Sequence, residues 1–250
     1  GIFADIDAAM MFHPSGAINL AHRHGLACQG LNIRFRGAPA HAAGSPWKGV
    51  NALDAMIQFF VNVSTLRQQI LPDARLHGVI TNGGTAANVI PEFTEASYLV
   101  RARDAGYLAV LMEKVKRCAE AGALATGCTV DFAMEPLYAH RVNNMVMARA
   151  FQANLESFGE VVTEPDPNAS VGSSDIGNVS LVCPTIHPYV RIAETDVGGH
   201  TADFREAANA DLGYTQMFKA AKAMAMTAID LIANPENLAA AKAEFAAAAK

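Results

Sequence analysis

Tryptophan occurs once, at Trp47, and cysteine only four times, at Cys28, Cys118, Cys128 and Cys183, with no C-x-x-C spacing among them. So few scattered thiols exclude a disulfide-stapled scaffold and a cysteine-rich zinc knuckle. They read as reduced core thiols, and the expected location is the cytoplasm. No basic stripe exists: 19 Lys and Arg stand against 24 Asp and Glu, for a net charge of −5, which argues against a nucleic-acid partner. The longest apolar runs are broken by Asn, Gln, Arg or Glu before bilayer length, so no membrane partner is expected. No G-x-S-x-G elbow supports a serine hydrolase, and GGTAAN (83–88) lacks the GK[ST] ending of a phosphate loop. The glutamates never occur as a Glu-Glu pair. What is abundant is apolar: 51% of the 250 residues are hydrophobic, enough for a packed core and against disorder.

Residues 7–13 (DAAMMFH) form an apolar run ending at Pro14, as a buried strand finishing in a loop would. Leu31, Ile33 and Phe35 alternate within a strand over 26–35. Over 51–69, Leu53, Met56, Ile57, Phe60, Val63 and Leu66 share one helical face. A strand over 76–82, a Gly83-Gly84 turn, a strand over 92–102, a helix over 107–121 and a strand over 127–134 follow. The order strand–helix–strand–strand–helix–strand is the ferredoxin-like pattern. After a linker over 135–142 come a helix over 143–158 with Asn143 or Asn144 as cap, a polar loop over 172–178, strands over 179–182 and 187–192, a Gly-rich loop over 194–200, and a long helix over 212–233. The Ala-rich end from Asn237 is expected to be helical.

The most informative stretch is RGAPAHAAGSPWKGVNALD (36–54), a Gly/Pro/Ala-rich loop with His41 at its centre. Such a loop fixes an irregular backbone that can present one imidazole to a ligand. Followed by GGTAANVIP (83–91), it resembles the lid, or dimerisation, domain of the M20 family of metal-dependent peptidases and amidohydrolases. The aminobenzoyl-glutamate hydrolase and Xaa-Arg dipeptidase-like branch is the most similar in wording. The resemblance runs along nearly the whole chain. It implies an α/β fold with an α+β lid: a zinc-peptidase-like α/β catalytic domain, here segments 1–30 and 142–250, interrupted by a ferredoxin-like βαββαβ lid at 31–141.

The resemblance also implies roles. By itself a strand-end histidine such as His13 is most often structural, and GGH around His200 is a weak signal; the family places metal ligands at both. The implied cofactor is a divalent metal, zinc first, with manganese, cobalt or nickel also accepting imidazole. His41 corresponds to the lid histidine that reaches the partner subunit's active site and donates to the oxyanion, where the bland alternative is a loop-stabilising hydrogen bond. Asn88 and Arg101 correspond to residues that grip a substrate carboxylate, with Arg103 as a rival to Arg101. Ser174 and Asp175, in GSSDIGN, and His187 are expected to line the same cleft, though His187 is equally readable as structural. The substrate class is a dipeptide, an N-acyl amino acid or an aroyl-glutamate, and the implied partner is a second copy joined through the lid. An upstream His-Asp strand end and a Glu-Glu pair, which such a site needs, are missing. The chain is therefore expected to begin inside a larger enzyme and to be inactive alone, an expectation that metal-dependent turnover by the isolated 250 residues would sink. Dimerisation or small-molecule binding without catalysis is the alternative.

Overall fold

The structure, a computed structural model, describes residues 2–3, 5–167, 169 and 171–248. Two compact units form, one of Gly1–Gly25 with Arg141–Lys250 and the other Leu26–His140. The first unit opens on β1 (Ala9–Met10) and β2 (His13–Ser15). The single buried strand expected over 7–13 is thus two short pieces, and Met11 between them is 37% exposed. Among the described residues each piece is hydrogen-bonded to a partner strand on one side only, which leaves the run partly open.

The second unit runs β3 (Ala27–Arg36), α1 (Ala52–Leu66), β4 (Arg75–Asn82), β5 (Phe93–Ala102), α2 (Ala105–Thr126) and β6 (Thr129–Met134). The sheet order β4-β5-β3-β6, antiparallel throughout, is the ferredoxin-like arrangement. Asn51 caps α1 by accepting from the Leu53 amide at 2.9 Å. Asp104 caps α2 through the Tyr107 amide at 2.8 Å. Gly127, at φ 77°, ends that helix in the left-handed conformation a glycine adopts without strain. Leu31, Ile33, Phe35, Ala96, Tyr98 and Val100 lie in one core with Met56, Phe59 and Val63 of α1 and Leu108, Leu111 and Val115 of α2. The helices touch closely at Gly122, where an added Cβ would lie 2.7 Å from the Ala55 carbonyl oxygen. The edge strand β4 leaves Val79 and Ile80 exposed, and α1 leaves Ile57 and Val61 exposed. Ile57, Val61 and Ile80 line one shallow apolar groove with Phe60.

The chain returns to the first unit with α3 (Met145–Glu156), α4 (Ile176–Ser180), β7 (Thr185–Ile186), β8 (Tyr189–Arg191), α5 (Ala202–Ala208), α6 (Asp211–Ala233) and α7 (Pro235–Ala248). β7 pairs with β1 and β8 with β2, both parallel. Asn144 caps α3, and Glu244 adds a carboxylate to the Met145 and Val146 amides at 2.9 and 3.0 Å. The strand expected over 179–182 is absent. Ser180 ends α4 instead, its Oγ donating to the Gly177 carbonyl at 2.7 Å and accepting from the Val142 amide at 3.0 Å. Leu181 and Val182 beyond it are about half exposed, so their apolar character defines no buried strand face.

One buried carboxylate ties this unit together. Glu160 has a side chain 3% exposed. It accepts from Lys219 and from Gln216 at 2.9 Å on one oxygen, and from Arg191 at 3.0 Å and Asn19 at 3.2 Å on the other. It thereby joins α6, β8 and the loop after β2. Burial alone would raise its pKa; the hydrogen bonds from Lys219, Gln216, Arg191 and Asn19 outweigh that and hold it at about 2, against an ordinary 4.5. Because the folded value is the lower one, the stabilisation is complete above pH 4.5 and disappears as pH falls toward 2. E160Q is expected to lose roughly 3 kcal/mol at pH 7. In urea unfolding, the gap between wild type and variant should shrink steadily as pH falls through that window.

Candidate active site

In the first unit His13 stands at the start of β2, exposed, on the wall of a cavity of about 580 Å³. Ser15, Gly16, Arg23, Tyr189, Asp196, Gly198 and Gly199 line the same cavity. Its Nδ1 lies 2.6 Å from the Pro14 carbonyl oxygen. A carbonyl only accepts, so Nδ1 carries the proton and Nε2 presents a lone pair.

His187 packs behind it. The two rings are 5.7 Å apart between centroids, and Tyr189 stacks at 5.4 Å from His13 and 5.2 Å from His187. His187 is 1% exposed, and neither ring nitrogen has a partner among the described residues. Burial, then the charges of Arg141 and His13, push its pKa down to about 3, so the ring is neutral. Arg141, itself buried, donates to the Tyr189 hydroxyl at 3.2 and 3.3 Å and to the Arg23 carbonyl at 3.3 Å. Tyr189 and Arg141 were not legible as site residues. Tyr189 stands two positions after His187, and in an extended segment both point to one side. Arg141 carried no signal in the linker.

His200 follows Gly198 and Gly199 and has φ 63°, the one described non-glycine residue in the left-handed region. Thr201 caps α5 behind it by accepting from the Phe204 amide at 3.2 Å. Ser174 and Asp175 precede α4, with Ser174 Oγ donating to Asp175 at 3.4 Å.

In the second unit His41 is exposed at the mouth of its loop. The Ala43 and Gly44 amides donate to its Nδ1 at 3.2 and 3.0 Å. The neutral ring therefore carries its proton on Nε2, facing away from the loop. The Asn88 segment lies alongside, with the Ala42 amide donating to the Asn88 carbonyl at 3.0 Å and His41 bridged to Val89. Arg101 is elsewhere. It sits at the far end of β5 from Asn88, opposite Cys28, and a ten-residue strand is roughly 30 Å long. Its Nε is buried without a partner among the described residues.

Residues 28–126 match the peptidase dimerisation domain of the M20 family. Over 248 residues the chain is 41% identical to the Xaa-Arg dipeptidase of Mus musculus, covering 98% of this chain and 57% of that protein. The chain belongs to the M20 family. It is also 34% identical over 160 residues to a p-aminobenzoyl-glutamate hydrolase polypeptide of Escherichia coli, across 64% of this chain and 33% of that protein. A crystal structure of an aminobenzoyl-glutamate utilization protein from Klebsiella pneumoniae shares the fold, with a TM-score of 0.70 at 17% identity over 92% of this chain and 56% of that one. The chain spans just over half the length of the Xaa-Arg dipeptidases it matches.

M20 enzymes are in general metal-dependent. The donors in this M20 chain fit a metal in kind, since His13 holds a free imidazole lone pair beside a cavity. They do not complete a site: among the described residues no three His, Cys, Asp or Glu side chains gather as a ligand set. Among the described residues, too, no helix is long and apolar enough to cross a membrane. The backbone at His200 can be checked directly. H200V forces a branched side chain into a left-handed conformation and should cost about 1–2 kcal/mol, read as a lowered midpoint of thermal unfolding. H200G should stay near wild type, and equal midpoints for the two variants would contradict the geometry.

Proposed function

We propose that this chain is part of a metal-dependent hydrolase of amide bonds in small carboxylate-bearing substrates: dipeptides, N-acyl amino acids or aroyl-glutamates. The observation that carries the reading is the opposite commitment of two imidazoles. His13 offers a lone pair, and His41 offers an N–H. His13 and His200 supply two ligands to a divalent metal, zinc in the first instance, with manganese, cobalt or nickel as substitutes. When bound, the metal polarises the scissile carbonyl. Ser174, Asp175 and His187 belong to the same cleft.

His41 donates from Nε2 to the carbonyl oxygen and to the oxyanion it becomes, a donor worth ~3 kcal/mol of transition-state stabilisation. Arg101 receives the substrate carboxylate, with two parallel hydrogen bonds available from its guanidinium. Asn88 precedes β5 and Arg101 lies near the other end of it, so one lid cannot close both on a single carboxylate. Each site therefore takes Arg101 from one subunit and His41 and Asn88 from its partner in a homodimer. The exposed β4 edge and the Ile57, Val61 and Ile80 groove suit that joint. The free thiols Cys28, Cys118, Cys128 and Cys183 suit a reducing cytoplasm.

Complementation between subunits tests the whole arrangement in the full-length protein. H41A and H13A should each lose about 10²–10³-fold or more in kcat. Mixed and allowed to exchange, they form heterodimers in which one of two sites has both histidines intact. Recovery toward about a quarter of wild-type activity is expected for such a two-fold assembly. No recovery would mean that His41 does not act across the dimer.

A further inference from the structure

Arg141 is a buried cation without a counter-carboxylate. It is 6% exposed and forms no ion pair among the described residues. A guanidinium taken out of water without a charge partner is costly unless other groups meet it. The groups that meet it are the Arg23 carbonyl and Tyr189. Both terminal nitrogens donate to the phenol oxygen, at 3.2 and 3.3 Å, and the guanidinium carbon lies 5.7 Å from the ring centroid. The Arg23 guanidinium lies 5.3 Å from the same ring. Two cations thus converge on one phenol.

Those contacts fix what the hydroxyl can still do. The phenol oxygen already accepts twice, so what the group has left to offer is its own hydrogen. No described residue accepts that hydrogen. Tyr189 pairs directly with His13 across β2 and β8, its ring 5.4 Å from the imidazole, and both line the cavity of about 580 Å³. The hydrogen is therefore available to a molecule that enters there. A hydroxyl that accepts charge-assisted hydrogen bonds is polarised toward donating its own. Negative charge that gathers on the phenol oxygen as the hydrogen is shared falls against the Arg141 guanidinium. If Tyr189 served only to satisfy Arg141, its O–H would stand unused on the cavity wall.

We propose that Tyr189 is a further catalytic residue: its hydroxyl donates to the carbonyl oxygen of the scissile amide and to the oxyanion that oxygen becomes. Arg141 positions and polarises the hydroxyl without touching the substrate. The inference rests on the hydrolytic reading and adds to it a donor carried by the same subunit as His13, where His41 comes from the partner. One of the two donors is thus built into the wall of the cavity itself. Each acts where charge develops, so loss of either slows the chemical step rather than substrate binding.

The test separates this role from the hydrolytic reading. In the full-length protein, alanyl-arginine, N-acetyl-leucine and N-benzoyl-glutamate are the probes. If wild type cleaves none of them, the hydrolytic reading fails and the donor role falls with it. With the probe that is cleaved, Y189F is expected to lose about 10²-fold in kcat with KM near wild type. The phosphinate isostere of that probe, a mimic of the oxyanion, should lose affinity by a comparable factor. Zinc titrated calorimetrically into metal-stripped protein should bind Y189F as it binds wild type, since His13 is untouched. Y189F leaves buried Arg141 donors without their acceptor, so the double variant R141M/Y189F, which removes both partners, guards against a folding defect. It is expected to stay as slow as Y189F. Recovery toward wild-type kcat in the double variant would make the pair structural and overturn the proposal, as would a Y189F loss carried by KM or by zinc affinity.

Discussion

An imidazole has two nitrogens, and what one of them can do is fixed by what the other is bound to. In this protein two of the exposed histidines in the proposed chemistry, His13 and His41, have their Nδ1 committed to nearby backbone, with opposite sense. At His13 the backbone offers a carbonyl, so Nδ1 must donate and Nε2 is left as a lone pair. At His41 the backbone offers two amides, so Nδ1 must accept and Nε2 keeps its hydrogen. The same residue type presents a lone pair in one unit and an N–H in the other. No neighbouring charge is needed for either, only the local path of the chain: Pro14 directly after the strand start, and the small residues Ala43 and Gly44 closing a turn over the ring.

Much of the second unit was legible because its pattern is local. Period-two alternation in β3 and a helical stripe in α1 are read directly from residues such as Leu31, Ile33, Phe35, Met56 and Val63, and Asn51 and Gly127 punctuate the helices they border. The first unit was less so. Its strands are two or three residues long, too short for periodicity to register, and its coherence comes from Glu160, which draws donors from residues far apart in sequence. Nothing in the wording around Glu160 marks it as buried. The apolar run around Val179 reads as a strand only if hydrophobicity is equated with burial, whereas a serine hydroxyl closes a helical turn there instead.

The candidate site residues divide in the same way. Glycine- and proline-rich surroundings flagged His41 and His200, and the backbone is indeed irregular at both. Arg141, which donates to Tyr189 beside His187, depends on a contact between distant segments and carries no local mark. Family resemblance alone implied the metal, the carboxylate clamp and the dimer; without it His13 reads as a structural residue.

The length of β5 has a consequence of its own. Asn88 precedes this strand and Arg101 nearly ends it, so the strand works as a gauge that fixes how far apart those two side chains stand on one lid. Adding two residues would keep Arg101 on the open face but carry it about 7 Å along the strand. Adding one would turn it onto the helix-covered face. The lid is thus graduated in steps of a residue pair, and the spacing between its two ends can change only by whole divisions of that scale.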